Sequence, residues 1–220
     1  MRARKRKHGE ERLAAAVAVL CEDKAAVFAD AQSPFGEKRP LHLEIGCGKG
    51  KFSCEMSVLH PDVNFYAMEK VSDVMVIAAE RALHTADERP DNLRFIVGDA
   101  KELTEWFAPH TFSCIYLNFS DPWPKKGYYK RRLTYRAFLE IYKTLLAEGG
   151  VLRLKTDNVG LFDFSLEEFE AAGMEVLRMS RDLHNSPYSE GNVMTEYETN
   201  FSGQGIPICF AEVKVKSAEM

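Results

Sequence analysis

Acidic and amide side chains recur in this chain inside or directly after apolar runs. Glu44 lies within 41–45, Glu69 follows 63–68, Asp99 follows 93–97, Asn118 and Asp121 follow 112–117, and Asp157 follows 151–155. Between the first two lies Gly46-Cys47-Gly48-Lys49-Gly50, where missing side chains let backbone N–H groups approach a ligand closely. Glu69 stands 23 residues after Gly46, a place from which a carboxylate accepts hydrogen bonds from both hydroxyls of a ribose. Asp99 is placed to accept from an adenine amino group. Glu44 interrupts an otherwise apolar run, where a carboxylate is costly unless partnered. A ligand ammonium and a structural salt bridge each meet that need.

A second group of chemically able residues runs from Asn118 to Arg132, Asn-Phe-Ser-Asp-Pro-Trp-Pro-Lys-Lys-Gly-Tyr-Tyr-Lys-Arg-Arg. Pro122 and Pro124 fix φ and push Asp121 and Trp123 towards extended geometry, so the loop is held open by covalent restriction. A carboxylate and an indole beside Lys125, Lys126, Lys130, Arg131 and Arg132 suit a base to be held and phosphates to be gripped. Taken alone, the same stretch also fits an Asp-Pro turn followed by a solvated charge run.

The elements that must position these residues follow from periodicity. Strands are predicted over 41–45, 63–68, 93–97, 112–117 and 151–155, and helices over 52–59, 71–83, 101–107, 133–146 and 161–171. Within 133–146, Phe138, Ile141, Tyr142 and Leu145 keep i, i+3, i+4, i+7 spacing, and Gly149-Gly150 is expected to stop that helix. Strands alternating with helices predict an α/β fold, a doubly wound, mostly parallel sheet with right-handed crossovers. The last two strands, 174–179 and 207–216, have no full helix between them and are expected to form an antiparallel edge pair. Between them, Thr195-x-x-Glu198 forms a capping box that starts a single helical turn to Phe201. Ligands of such sheets bind beyond the carboxyl ends of the strands, so the five endings converge on one crevice. The glycine loop suits a nicotinamide dinucleotide nearly as well as S-adenosylmethionine. Only the second carries an ammonium for Glu44, and the acidic crevice tilts the choice towards it.

Composition sets the outer bounds. With 220 residues, 45% hydrophobic, the chain buries one substantial core. We divide it into a basic N-terminal arm and helix over 1–38 and a single domain over 39–220. The formal charge of −4 announces no nucleic-acid partner, but two basic patches stand out, Arg2, Arg4, Lys5, Arg6 and Lys7 at the start and the 125–132 loop. The five cysteines and six histidines are scattered without disulfide or metal-ligand spacing, which predicts reduced thiols, a cytoplasmic location and no metal. The apolar piece 13–21 imitates a signal peptide, but Glu10, Glu11 and Arg12 precede it, and an amphipathic helix is expected instead. No run reaches the ~20 residues of a membrane span.

From about residue 40 to residue 216 the chain resembles the TrmB family of tRNA (guanine-N7)-methyltransferases. The likeness rests on the segments Leu43 to Gly50, Asn118 to Lys126, Lys130 to Thr134, Lys155 to Asn158 and Met194 to Glu198. It implies a Rossmann-like class I methyltransferase fold with a seven-stranded sheet. It also implies S-adenosylmethionine as methyl donor, S-adenosylhomocysteine as product, and methylation at N7 of the guanine in the tRNA variable loop. Carried over by position, it makes Glu44, Glu69, Asp99 and Asp121 cofactor-site residues, joined by Gly46, Gly48 and Asn118, with Asp121 also at the reaction centre. Lys125, Asp157, Thr195, Glu196, Tyr197 and Glu198 become substrate-side positions, and Lys130, Arg131 and Arg132 phosphate contacts. Where the family often has a basic residue and a histidine after the two lysines, this chain has Gly127 and Tyr128, so that histidine has no counterpart here. The expected partner is tRNA, with no membrane, and the protein a monomer or a homodimer.

Three rivals are weighed against this reading. A methyltransferase for another RNA, DNA or protein acceptor would commonly show adjacent prolines in its Asn/Asp-Pro-Pro-aromatic loop, whereas Trp123 separates them here. A nicotinamide oxidoreductase would need a proton-donor pair that is not evident. The third rival is an RNA-binding module without activity.

Overall fold

The computed structural model describes residues 7–84 and 90–216. The expected N-terminal cations Arg2, Arg4, Lys5 and Arg6 lie outside the described residues. In chain order the described elements are α1 (Gly9–Ala15), α2 (Lys24–Ala29), β1 (Leu41–Ile45), α3 (Lys51–Leu59), β2 (Asn64–Glu69), α4 (Ser72–His84) and β3 (Leu93–Val97). They continue with α5 (Leu103–Trp106), β4 (Phe112–Asn118), α6 (Arg136–Leu145), β5 (Leu146–Thr156), α7 (Val159–Ala171), β6 (Met174–Ser180), α8 (Glu196–Ser202) and β7 (Cys209–Val215). The strands form one seven-stranded sheet in the order β3-β2-β1-β4-β5-β7-β6. Pairings from β3 to β5 are parallel, and β7 is antiparallel to both β5 and β6. The expected antiparallel closure is present, with β7 inserted between β5 and the edge strand.

The central strands are buried on both faces, as near-continuous apolar runs require. Alternation along β2 divides the core. Tyr66 and Met68 pack with Phe112, Leu139, Tyr142 and Phe162 under α5, α6 and α7. Phe65 and Ala67 pack with Met75, Ala78 and Phe95 under α3 and α4. Each fully buried Phe, Leu or Met side chain among these contributes about 1.5–3 kcal/mol.

Three boundaries differ from the sequence reading, each for a local reason. The helix predicted over 133–146 begins only at Arg136. Thr134 before it is buried and accepts a hydrogen bond from the Ser165 hydroxyl at 2.8 Å, which draws that turn into the α7 interface. Gly149-Gly150 does not stop the helix. The helix ends at Leu145, and the glycines occupy an irregularity inside β5, where pairing jumps from Phe112↔Leu146 to Cys114↔Val151. A Cβ on Gly150 would lie 2.9 Å from the carbonyl oxygens of Ala147 and Phe112, so the bulge admits no side chain there. The N-terminal helix stops at Ala15 instead of running through 13–21, because Leu20 bridges to Phe95 and the Cys21 N–H donates to the Phe95 carbonyl at 2.8 Å. The free edge of β3 thereby captures the chain. α1 is anchored by Arg12, whose Nε and Nη2 each reach the Glu80 carboxylate at 2.7 Å.

Candidate active site

The carboxyl ends of β1, β2, β3 and β4 open into one cleft of about 740 Å³. Glu44, Gly46, Gly48, Glu69, Asp99, Asn118 and Asp121 all line it. The glycine loop is pinned at its start, where the N–H groups of Gly46 and Cys47 donate to the Met68 carbonyl at 2.8 and 3.0 Å. Gly46 and Gly48 have φ of +80° and +56°, and a Cβ on either would meet nothing within 4 Å. Glycine is needed at both for conformation, not for room. Gly50 is different: at φ +76°, its Cβ would stand 2.8 Å from that of Ala78, so α3 and α4 approach across it. Glu69 closes the loop from the other side, accepting from the Gly48 N–H at 3.1 Å and the Val71 N–H at 2.9 Å.

Glu44 is 4% exposed and takes neutral partners. The Ser53 hydroxyl donates to one oxygen and Asn118 Nδ2 to the other, the latter at 3.0 Å. The nearby cation Lys155 is instead bound to Glu198 at 2.6 Å, which removes the structural salt bridge as the account of Glu44. Burial pushes the Glu44 carboxyl above its ordinary pKa, opposed by the Ser53 and Asn118 hydrogen bonds and the Lys155 charge. Asn118 Oδ1 and Ser120 Oγ are buried, face no hydrogen-bond partner among the described residues, and belong to cleft-lining residues. Such orphaned acceptors are costly. Together with Glu44 they form a site suited to a donor-rich cation. At the far end, Asp99 binds the Lys70 ammonium at 2.6 Å and the Lys101 N–H at 3.1 Å. Burial acts to raise the Asp99 carboxyl, and these two donors hold it below its ordinary pKa against that.

The loop after β4 is wound tightly. Phe119 and Trp123 have φ of +52° and +42°, so Trp123 is left-handed and not extended as the following proline predicts; such values cost about 1–2 kcal/mol for a residue bearing a side chain. Phe119 is held by its N–H, which donates to the Lys155 carbonyl at 2.8 Å, and by ring stacking against Tyr197 and Phe201. Asp121 accepts from the Trp123 N–H at 3.3 Å, and its exposed carboxylate lines the cleft.

The substrate-side residues divide. Thr195, Glu196 and Tyr197 line the cleft, but Glu198, Lys125 and Asp157 do not. Thr195 and Glu198 form the expected capping box, with hydrogen bonds of 3.0 and 3.4 Å, and the helix it starts runs from Glu196 to Ser202 rather than a single turn. The Glu198 side chain is fully buried, binding Lys155 and Asn192 Nδ2 each at 2.6 Å, while His184 Nε2 lies 3.1 Å away without a hydrogen bond. It stands behind the cleft wall as an anchor. Lys125 is exposed beyond Pro124, and Asp157 is half-buried just past β5. Of the basic trio, Lys130 and Arg131 line the cleft. Arg132 turns inward: its Nε donates to the Pro122 carbonyl at 2.9 Å, and its guanidinium lies 4.3 Å from the Phe164 ring centre.

A clamp across the glycine loop escaped the sequence reading. Glu196 pairs with Arg81 at 2.5 Å and with Lys49 at 3.3 Å, and Lys51 Nζ donates to the Met194 carbonyl at 2.6 Å. Burial acts to raise the Glu196 carboxyl, and the Arg81 hydrogen bond and charge, helped by Lys49, hold it below its ordinary pKa. The only signal available was that Lys49 and Lys51 flank Gly50, with nothing to say where their charges go.

The family model described as "Putative methyltransferase" matches residues 38–211 of the chain. The tRNA (guanine-N(7)-)-methyltransferase of Brevibacillus brevis is 48% identical over 171 residues, covering 78% of this chain and 78% of that protein. That of a Geobacillus species is 49% identical over 180 residues, covering 82% and 80%. Among solved structures, the 16S rRNA methyltransferase KamB superposes with a TM-score of 0.62 at 14% identity, covering 86% of this chain and 95% of that one. The antibiotic-resistance methyltransferase Kmr gives 0.58 at 17% identity, covering 87% and 93%. These two likenesses carry the fold.

Proposed function

The chain belongs to the tRNA (guanine-N7)-methyltransferase family, and we propose that it transfers a methyl group from S-adenosylmethionine to N7 of the guanosine in the tRNA variable loop. The observation that carries the reading is that one cleft gathers the carboxylates and orphaned acceptors of four strand ends together with two cations of the basic loop. Glu44, Asn118 and Ser120 offer acceptors for the donor's ammonium, Glu69 for its ribose hydroxyls and Asp99 for its adenine amine, while Lys130 and Arg131 also line the cleft. The unpartnered Asn118 Oδ1 is the specific evidence of fit, because a buried acceptor without a donor is completed by a ligand that brings one. When bound, S-adenosylmethionine supplies an activated methyl group and a positive charge.

The chain's own residues have a limited task. Guanine N7 presents a lone pair and carries no proton at neutral pH, so no strong base is required. What remains is alignment and charge. We assign to Asp121 a fixed negative charge beside the base. It either favours the positive charge arriving on the purine or holds the guanine edge by accepting from N1–H and N2–H₂. Thr195, Glu196 and Tyr197 wall the substrate side, and Lys125 and Asp157 serve as outer contacts on loops leaving β4 and β5. We place the protein in the cytoplasm, as a monomer or homodimer. Among the described residues no helix is long and apolar enough to cross a membrane.

The test is incubation with methyl-labelled S-adenosylmethionine and bulk tRNA, followed by nucleoside analysis and mapping of the label. We expect N7-methylguanosine confined to the variable loop. Label in another nucleoside, or none in tRNA, overturns the proposal.

A further inference from the structure

The cations of the 125–132 loop are not equivalent. Arg132 is a brace, bonded to the Pro122 carbonyl and stacked on Phe164. Arg131 is exposed, lines the cleft mouth and forms no ion pair among the described residues. It is nonetheless fixed, because its guanidinium carbon lies 4.9 Å from the Trp123 ring centre and 4.7 Å from that of Tyr128. The two rings meet edge to face, 6.1 Å apart at 79°, and Arg131 fills the corner between them.

The backbone is built to make this corner. Gly127 has φ +96°, a value that strains any residue with a side chain. The Tyr128 N–H then donates to the Lys125 carbonyl at 3.1 Å, turning the chain back towards Trp123. The Arg131 N–H donates to the Tyr128 carbonyl at 2.9 Å, bringing the guanidinium over the ring it follows by one tight turn. Gly127 and Tyr128 are both used in the corner.

We propose that Tyr128 is a positioning residue for tRNA, holding Arg131 against Trp123 so that its guanidinium is preset for a phosphate next to the reacting guanosine. This rests on the methyltransferase reading of the cleft. The chemistry favours arginine specifically. A guanidinium stacks on aromatic faces and still presents its in-plane N–H fork to a phosphate, which a lysine ammonium cannot do. An unrestrained arginine loses rotamer freedom on contact; one already held by two rings loses less, so the gain appears as tighter tRNA binding.

The experiment compares wild type, Tyr128→Ala, Tyr128→Phe, Arg131→Ala and the Tyr128→Ala/Arg131→Ala double variant. It measures KM and kcat for tRNA methylation, tRNA binding across salt, and binding of S-adenosylhomocysteine as a check that the cleft is intact. Tyr128→Phe keeps the ring and should match wild type. Tyr128→Ala should raise KM about three- to tenfold with little change in kcat, and should keep the salt slope, since the charge remains. Arg131→Ala should flatten that slope by roughly 0.7–0.9. The double variant should bind no worse than Arg131→Ala. Additive losses would overturn the proposal, because Tyr128 would then be touching tRNA itself, as a stacking platform does. So would a Tyr128→Phe enzyme as weak as Tyr128→Ala, or a Tyr128→Ala enzyme with unchanged KM. A wild-type enzyme that binds tRNA without forming N7-methylguanosine refutes the proposed reaction instead, and the binding arm still decides the role of Tyr128.

Discussion

Replacing Glu198 by glutamine should destabilise the protein and uncouple the wall of the cleft from the sheet. The carboxylate is fully buried and serves three groups: the Lys155 ammonium, the Asn192 amide and the Thr195 N–H. Lys155 is itself 5% exposed, and its remaining partners are the neutral Asn192 Oδ1 and Val193 carbonyl. Burial already holds the Lys155 ammonium below its ordinary pKa, against the charge and hydrogen bond of Glu198. Removing that support leaves the buried cation with only the Glu44 charge to offset it, at a cost of about 3–5 kcal/mol. For a chain of this length the melting temperature should fall by about 6–20 °C. Because these bonds tie 192–198 to β5, amide hydrogen exchange should lose protection over α8 and the preceding segment before the central strands. A Lys155→Met/Glu198→Leu double replacement should recover part of the stability, since the pair leaves together while Glu44 loses the Lys155 charge. A Glu198→Gln protein with an unchanged melting temperature and exchange pattern would refute the reasoning.

Three further outcomes are expected. His42 is held down to about 4 by burial, then by the Arg153 charge, so the unfolded chain takes up a proton that the folded chain refuses as pH falls from about 6.5. Its contribution is fully present above pH 6.5 and is lost towards pH 4. Wild type should therefore lose about 2–3 kcal/mol more than His42→Gln across that window in urea titrations, and parallel curves would contradict this. Gly50→Ala should cost about 2–5 kcal/mol, combining left-handed strain with the clash at Ala78. Adding Ala78→Gly should restore only part, because the Ala78 Cα is also within 3.0 Å. Glu69→Ala should weaken S-adenosylhomocysteine binding by about 1.5–3 kcal/mol in calorimetry; unchanged affinity would remove Glu69 from the ribose site.

The fold was legible because its signals are local and repeated. Apolar runs of strand length alternate with helical periodicity, and a parallel sheet then sends every strand ending to one edge, which is why Glu44, Glu69, Asp99 and Asp121 share a cleft. Partnership across the sheet was not legible. Asn118 meets Glu44 from 74 residues away, so the sequence could show that Glu44 needs a partner but not that the partner would be a neutral amide with a spare acceptor. Glu198 and Glu196 looked alike in Thr195-Glu196-Tyr197-Glu198, yet helical geometry turns one into the core and the other across the glycine loop. Arg131 and Arg132 are likewise adjacent and polar, and a single tight turn sends one to the cleft and the other to Phe164. Gly149-Gly150 read as a helix stop because the strand that uses them begins directly at the helix end.

The central claim is that the cleft promotes methyl transfer by charge and alignment, with Asp121 beside the base and no proton removed. It is tested most directly by single-turnover methylation of tRNA by wild type and Asp121→Asn, followed across pH 6 to 8 with S-adenosylhomocysteine affinity measured in parallel. The account predicts that Asp121→Asn slows the methyl-transfer step by about 10²–10³, that it leaves the affinity close to wild type, and that the wild-type rate is nearly flat over that range. An Asp121→Asn enzyme that turns over normally, or a wild-type rate rising steeply with pH, would contradict it.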